Sequence, residues 1–312
     1  MIKARLFVVV WILMIVFCNV SSKTFAEEKG SKDANDLIKR FDISTYHPEV
    51  YGLKDLVVDV RFTNLDKELS NQLGQLKIDD LYFTIYWISS GKIDVEISGL
   101  PKGFVMVKDT LIRSVQPYIE FIIPKNFAER ARNYNLKSIA IDAKNKQSSK
   151  LSNGERLFIG TDKTHLNMVH EIKIVFDDKD RLNKLLMITP QGTEDAYYSW
   201  DREKWGQNKW VLSSIVMKSD YGIQSKIVQN EITYNSFSGI GLPVRVAVST
   251  EIFSKNLEGN NINNNNSNKN KKKEDGTSDS GTDTIYKVQR DIIFSNYRIN
   301  NGEAQKYFLK KM

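Results

Sequence analysis

The sequence predicts an α+β protein built on a long, curved antiparallel β-sheet with a few short helices, and three observations predict it. Period-two alternation of apolar and polar residues dominates from Leu53 onwards. The alternating runs are joined by tight polar connections, which is hairpin chemistry. Helical spacing is confined to short stretches, and a chain with 41% hydrophobic and 27% charged residues has enough apolar material to fold as a globular body.

The first residues stand apart from that body. Lys3 and Arg5 precede an apolar run from Leu6 to Cys18, and Thr24-Phe25-Ala26 offers a small residue before a cut, so residues 1–26 read as a secretory signal peptide. The run is shorter than the roughly 20 residues of a spanning helix, so no transmembrane span is expected in the mature chain. A lipid on Cys18 is disfavoured by the bulky Phe17 before it. Cleavage after Ala26 removes the one cysteine, leaving packing rather than disulfides to hold the protein together. It also removes Lys3, Arg5 and Lys23, lowering the formal charge from +7 to +4, too diffuse an excess to indicate nucleic-acid binding.

DANDLIKRF (33–41) sets Ala34, Leu37, Ile38 and Phe41 at helical spacing, with Asp33 or Ser31 as N-cap. In LVVDVRF (56–62), Leu56, Val58, Val60 and Phe62 share a face, with Asp59 and Arg61 opposite. LYFTIYWI (81–88) is apolar on both faces and reads as a central strand covered on both sides. Ser89-Ser90-Gly91 turns it into KIDVEIS (92–98), where Ile93, Val95 and Ile97 share a face and Asp94 and Glu96 are expected towards water. A second helix follows Pro101 with Phe104, Val107, Leu111 and Val115 in step, and is expected to stop at Pro117, although VMV within it also suits a strand. PKNFAERARNY (124–134) predicts one more short turn of helix.

Strands follow at 171–176, 182–189, 196–201, 209–218, 229–237 and 243–253, an antiparallel meander with turns such as DDKDR (177–181) and PQG (190–192). The Asn- and Lys-rich stretch 257–284 interrupts it. As a domain linker it would leave residues 285–312 to fold alone, and fewer than about 40 residues without cysteine or metal seldom bury a core. TIYKVQRDIIFSNYRI (284–299) is instead expected to pair with PVRVAVSTEIF (243–253), making the stretch a swollen, disordered hairpin insertion in a single domain over 27–312. Lengthening a connection from four to nearly thirty residues costs only about 1.7 kcal/mol of closure entropy.

Catalytic patterns are absent: no phosphate-binding glycine loop, dinucleotide fingerprint or nucleophile elbow occurs. Ser89 and Lys92 form S-x-x-K in a hairpin rather than at a helix start. His47, His165 and His170 read as surface or turn residues without metal-ligand spacing, and Asp177, Asp178 and Asp180 as turn formers. No enzyme activity, metal or cofactor is expected. Aromatic residues are conspicuous: Tyr82, Tyr86 and Trp87 in one strand, and Tyr197, Tyr198, Trp200, Trp205 and Trp210 close together. They suit either a sheet core capped by helices or the wall of an apolar cavity.

The leader, the short N-terminal helix, the meander and the terminal pair GIGLPVRVAVST (239–250) and RDIIFSNYRINNG (290–302) together resemble the periplasmic lipoprotein-carrier and lipoprotein-sorting superfamily, the LolA-like fold. WISSGKIDVEISGLP (87–101) is similar to that family's early hairpin. The resemblance implies an unclosed β-barrel with helices as a lid over a cavity for acyl chains. It departs from the family in the Asn-rich insertion and in having no residue that matches the arginine with which some carriers latch the lid. The resulting expectation is a non-enzymatic periplasmic or secreted carrier of lipid or lipoprotein. Its inner face would comprise Val58, Val60, Phe62, Phe83, Ile85, Trp87, Val95 and Ile97, and its lid Leu37, Ile38 and Phe41. The alternative is an envelope sensor or scaffold of the same fold that binds a protein partner by an edge strand or the insertion.

Overall fold

A computed structural model of the protein describes residues 32–74, 77–101, 103–139, 152, 154–255 and 282–312. The leader 1–26 and residues 257–281 of the insertion lie outside the described residues. Strands β1 (Asp55–Phe62), β2 (Tyr82–Ile88), β3 (Ile93–Ser98), β4 (Tyr134–Ile139), β5 (Arg156–Asp162), β6 (Glu171–Phe176), β7 (Leu182–Thr189), β8 (Gly192–Arg202), β9 (Trp210–Asp220), β10 (Gln224–Phe237), β11 (Ile240–Lys255) and β12 (Thr282–Ile299) follow in chain order. They form one 12-stranded sheet in the order β3-β2-β1-β12-β11-β10-β9-β8-β7-β6-β5-β4, and every neighbouring pair is antiparallel. The sheet is unclosed, with β3 and β4 as its edges. The helices are α1 (residues 32–44), α2 (Leu65–Gln72), α3 (Val105–Ile122), α4 (Phe127–Ala131) and α5 (Glu303–Lys311). Among the described residues no helix is long and apolar enough to cross a membrane.

One face of the sheet, the core face, carries two separate apolar clusters. The first joins β1, β2 and β3 to β11 and β12 under α3, whose Leu111, Val115, Ile119 and Ile122 point into it. The second joins β4 to β8 under α1 and α4, around Leu37, Phe41, Phe127, Phe158, Ile174 and Phe176. Asp42 on α1 starts α4 from outside, its carboxylate accepting the Phe127 and Ala128 N–H groups at 2.7 and 3.0 Å. Arg40, also on α1, donates to Asp180 in the β6–β7 turn at 2.8 Å, and Arg156 donates to the same carboxylate. Burial alone would raise the Asp180 carboxyl, but the two guanidiniums outweigh it and hold the group below its usual range.

Several expectations need correction. α3 runs through Pro117 instead of ending there, because Ile119 and Ile122 beyond it are buried and hold the last turn despite the missing N–H. Asp59, opposite the apolar face of β1, is buried, accepting hydrogen bonds from Thr84 Oγ1 and Asn296 Nδ2, each at 3.0 Å, because α5 folds back over β1 and β2 on the reverse face. Asp94 and Glu96, expected towards water, likewise accept from the Tyr307 hydroxyl of α5 at 2.6 and 2.8 Å, while Tyr307 stacks on Tyr86 at 3.7 Å. That stacking supplies the second cover that the two-sided apolar strand β2 requires. His47 is buried rather than exposed, its Nδ1 lying 3.2 Å from the Pro124 carbonyl oxygen.

The motifs of the terminal pair have structural roles. Asn300 accepts the Lys54 N–H at 2.7 Å and donates to the Gly52 carbonyl at 2.8 Å, tying the end of β12 to the start of β1. The Tyr297 hydroxyl donates to the Pro243 carbonyl, joining the two motifs directly. Gly241 lies beneath the Trp205 ring, where an added Cβ would fall 1.9 Å from the nearest ring carbon.

β11 and β12 pair as expected, with Lys255 opposite Thr282. The intervening segment therefore connects neighbouring strands whose ends already face each other. Replacing residues 257–281 by a four-residue Gly-containing turn is expected to leave the urea midpoint unchanged or slightly raised. A collapse of the unfolding transition in that variant would show that the segment contributes to the fold.

Candidate ligand-binding face

Register places the eight expected inner-face residues on one face: Val58, Ile85 and Val95 are in line, as are Val60, Phe83 and Ile97, with Trp87 and Phe62 continuing the pattern. They meet α3, however, and not α1. Val58, Val60, Phe83, Ile85, Trp87 and Val95 are buried in the first cluster, with Phe62 and Ile97 half-buried against it. Leu37, Ile38 and Phe41 are buried in the second cluster. The expected wall and lid are thus in different halves of the sheet. The reason is that α1 finds its apolar partners on β4 to β8, while α3 is long enough to cover β1 to β3. A cleft of about 270 Å³ beside α1 and α4 is edged by Asn35, Lys39, Arg132 and Lys163, with Ile38, Ala128, Ala131 and Leu136 as its apolar lining.

The aromatic residues do not line one wall either. Trp200 packs on Phe41, with ring centroids 5.3 Å apart. Tyr197 lies under the Lys184 and Lys218 ammonium groups at 4.9 and 5.4 Å, and Trp210 under Arg181 and Arg202 at 4.7 and 4.1 Å.

What remains open on the core face is a strip across β8 to β12, bounded by a covered row in which Tyr198 packs on the second cluster, Val248 packs on the first and Asn230 is buried. Pairing sets three successive rows there. The innermost holds Tyr198, Ile215, Asn230, Val248 and Arg290. The next holds Ala196, Met217, Val228, Thr250 and Val288, and the outermost Glu194, Ser219, Lys226, Ile252 and Tyr286. Met217 is 36% and Tyr286 51% exposed, Val228, Ile252 and Val288 are half-buried, and none of the five belongs to either cluster. Five strands at about 4.8 Å spacing make the strip about 19 Å wide. At the same end of the sheet, Leu166 and Met168 in the β5–β6 loop and Tyr221 and Ile223 in the β9–β10 turn are exposed.

The innermost row carries the polar groups. Arg290 donates to Glu68 of α2, and Tyr118 of α3 lies near enough to feel its charge. Burial raises the Tyr118 phenol and Arg290 partly offsets the rise; burial raises Tyr198 likewise. Among the described residues no group of three or more metal-ligating side chains is assembled. Sequence reasoning missed this strip although the alternation of SSIVMK, KIVQN and STEIF encodes it. The aromatic richness of β2 drew the inner face to the other half. Compared with models of known protein families, with curated proteins and with solved structures, the chain has no match.

Proposed function

We propose that the protein is a non-enzymatic carrier that binds the acyl chain of a lipid or lipid-modified protein along the open strip of the core face. In this reading the sheet acts as an unclosed barrel of LolA-like type, the helices cover its two packed halves on either side of the strip, and the chain works in the periplasm or outside the cell after loss of residues 1–26. The observation that carries it is the half-exposed row Met217, Val228, Val288 beside Ile252 and Tyr286, apolar area that neither helical cover takes from water. Each buried CH₂ of an acyl chain contributes about 0.8 kcal/mol, so one chain suffices for binding without a charged contact.

The complete burial of Leu37 and Val58, each in a separate cluster, favours a second reading, in which the fold is a scaffold for a protein partner. Titration with a fluorescent fatty acid separates the two. Saturable binding is expected in the wild type, and Val228→Asp combined with Ile252→Asp is expected to weaken it at least tenfold. Both positions are half-exposed, so the double variant should stay folded, with a loss of stability below that of a core truncation. Absence of saturable binding in the wild type would remove the carrier reading and leave the scaffold.

A further inference from the structure

One atom in the innermost row is out of keeping with its surroundings. Asn230 is 3% exposed, and its side-chain Oδ1 has no hydrogen-bond partner among the described residues. Its neighbours across the sheet on the core face are Ile215 and Val248, which have no side-chain donor to offer. The next residues in the row, Tyr198 and Arg290, are each two strands away, about 10 Å, and Arg290 is directed to Glu68. A buried carbonyl oxygen is nearly always served by a donor, and an aliphatic residue at this position would pack the same space without that demand.

We infer that Asn230 is the hydrogen-bond acceptor for the polar end of a bound acyl ligand, so that the strip selects ligands carrying a hydroxyl or amide N–H donor beside the chain. The inference rests on the acyl-binding reading above and adds to it a direction and a specificity. The chain lies over Val228 and its row, one step along the strand from Asn230, with its head turned inwards. Selection follows from the state of the free protein: Oδ1 is already buried and unpaired, so a ligand with a donor gains by satisfying it, whereas the same chain without one leaves it as it was.

Three probes with one common chain test this: oleamide, which donates an amide N–H; monoolein, which donates a hydroxyl; and methyl oleate, which donates nothing. Dissociation constants are measured by displacement of a fluorescent fatty acid from the full exported chain. Oleamide or monoolein is expected to bind about tenfold more tightly than methyl oleate, the scale of one net hydrogen bond; which of the two leads identifies the donor. In Asn230→Leu the preference should vanish while methyl oleate binds as well as before, with the urea midpoint of the variant confirming its fold. The wild-type ranking stands as a test even if that variant does not fold. Equal affinity for all three probes in the wild type would overturn the inference alone, leaving Oδ1 to a water molecule. Failure of every probe to bind would overturn the acyl reading and this subsite with it.

Discussion

Phe41→Ala is expected to lower the unfolding free energy by about 3–5 kcal/mol, the cost of deleting a fully packed aromatic ring. Phe41 is 4% exposed and meets Phe127, Phe176 and Trp200 with ring centroids at 6.1, 5.6 and 5.3 Å. Alanine there leaves a void bounded by three rings on α4, β6 and β8, none of which can close it without moving its own strand or helix. Urea unfolding measures the loss. The same variant should bind a fluorescent fatty acid as the wild type does, because the open strip lies outside this cluster. A small stability loss with a large binding loss would instead make α1 a mobile lid over its ligand, and would return the binding site to Leu37, Ile38 and Phe41.

Asp55→Ala is expected to cost about 2–3 kcal/mol, the range for charge-assisted hydrogen bonds lost at a buried site. Asp55 is 1% exposed, and its two carboxylate oxygens accept the Gly302 and Gln305 N–H groups at 3.2 and 3.0 Å. Those donors are among the orphan N–H groups at the start of α5, which has no cap of its own because Gly302 precedes it. Without the carboxylate, α5 loses its anchor, and Tyr307 loses its hold on Tyr86. Amide hydrogen exchange offers a local readout: protection should fall along α5 first and along β1 and β2 only with global unfolding. Unchanged protection of α5 in the variant would mean that the Tyr307 stacking and the Lys311 contact to Asp94, at 2.6 Å, suffice to hold the helix.

Most of the sheet was legible because its strands alternate over long stretches and its turns use residues with few other uses. β4 and β5 were not, since YNLKSI buries only Leu136 and LFIG is cut by Gly160. That glycine looks like a strand breaker but is required: a Cβ there would sit 2.8 Å from both Ile172 Cγ1 and Leu136 Cδ2. α2 and α5 escaped notice for the opposite reason. Their sequences, LDKELSNQ and EAQKYFLKK, are mostly polar, and each buries only one or two side chains. The faces of β1 to β3 were read correctly from parity. Which helix covers them was not, because alternation fixes the side on which a residue lies but carries no information on the partner that crosses over it.

The strand order also constrains when the protein can take shape. β1 is flanked by β2, its near neighbour in the chain, and by β12, so that Leu56 finds its second partner only in Ile299. During synthesis, β4 to β8 together with α1 can assemble as soon as they emerge, since each of those strands pairs with the next. The first cluster can be completed only when β11 and β12 have been made, and until then the edge of β1 that pairs with β12 stays open even if α3 already covers its apolar face. The last of these strands is thus the one that joins the β1–β3 end of the sheet to the rest.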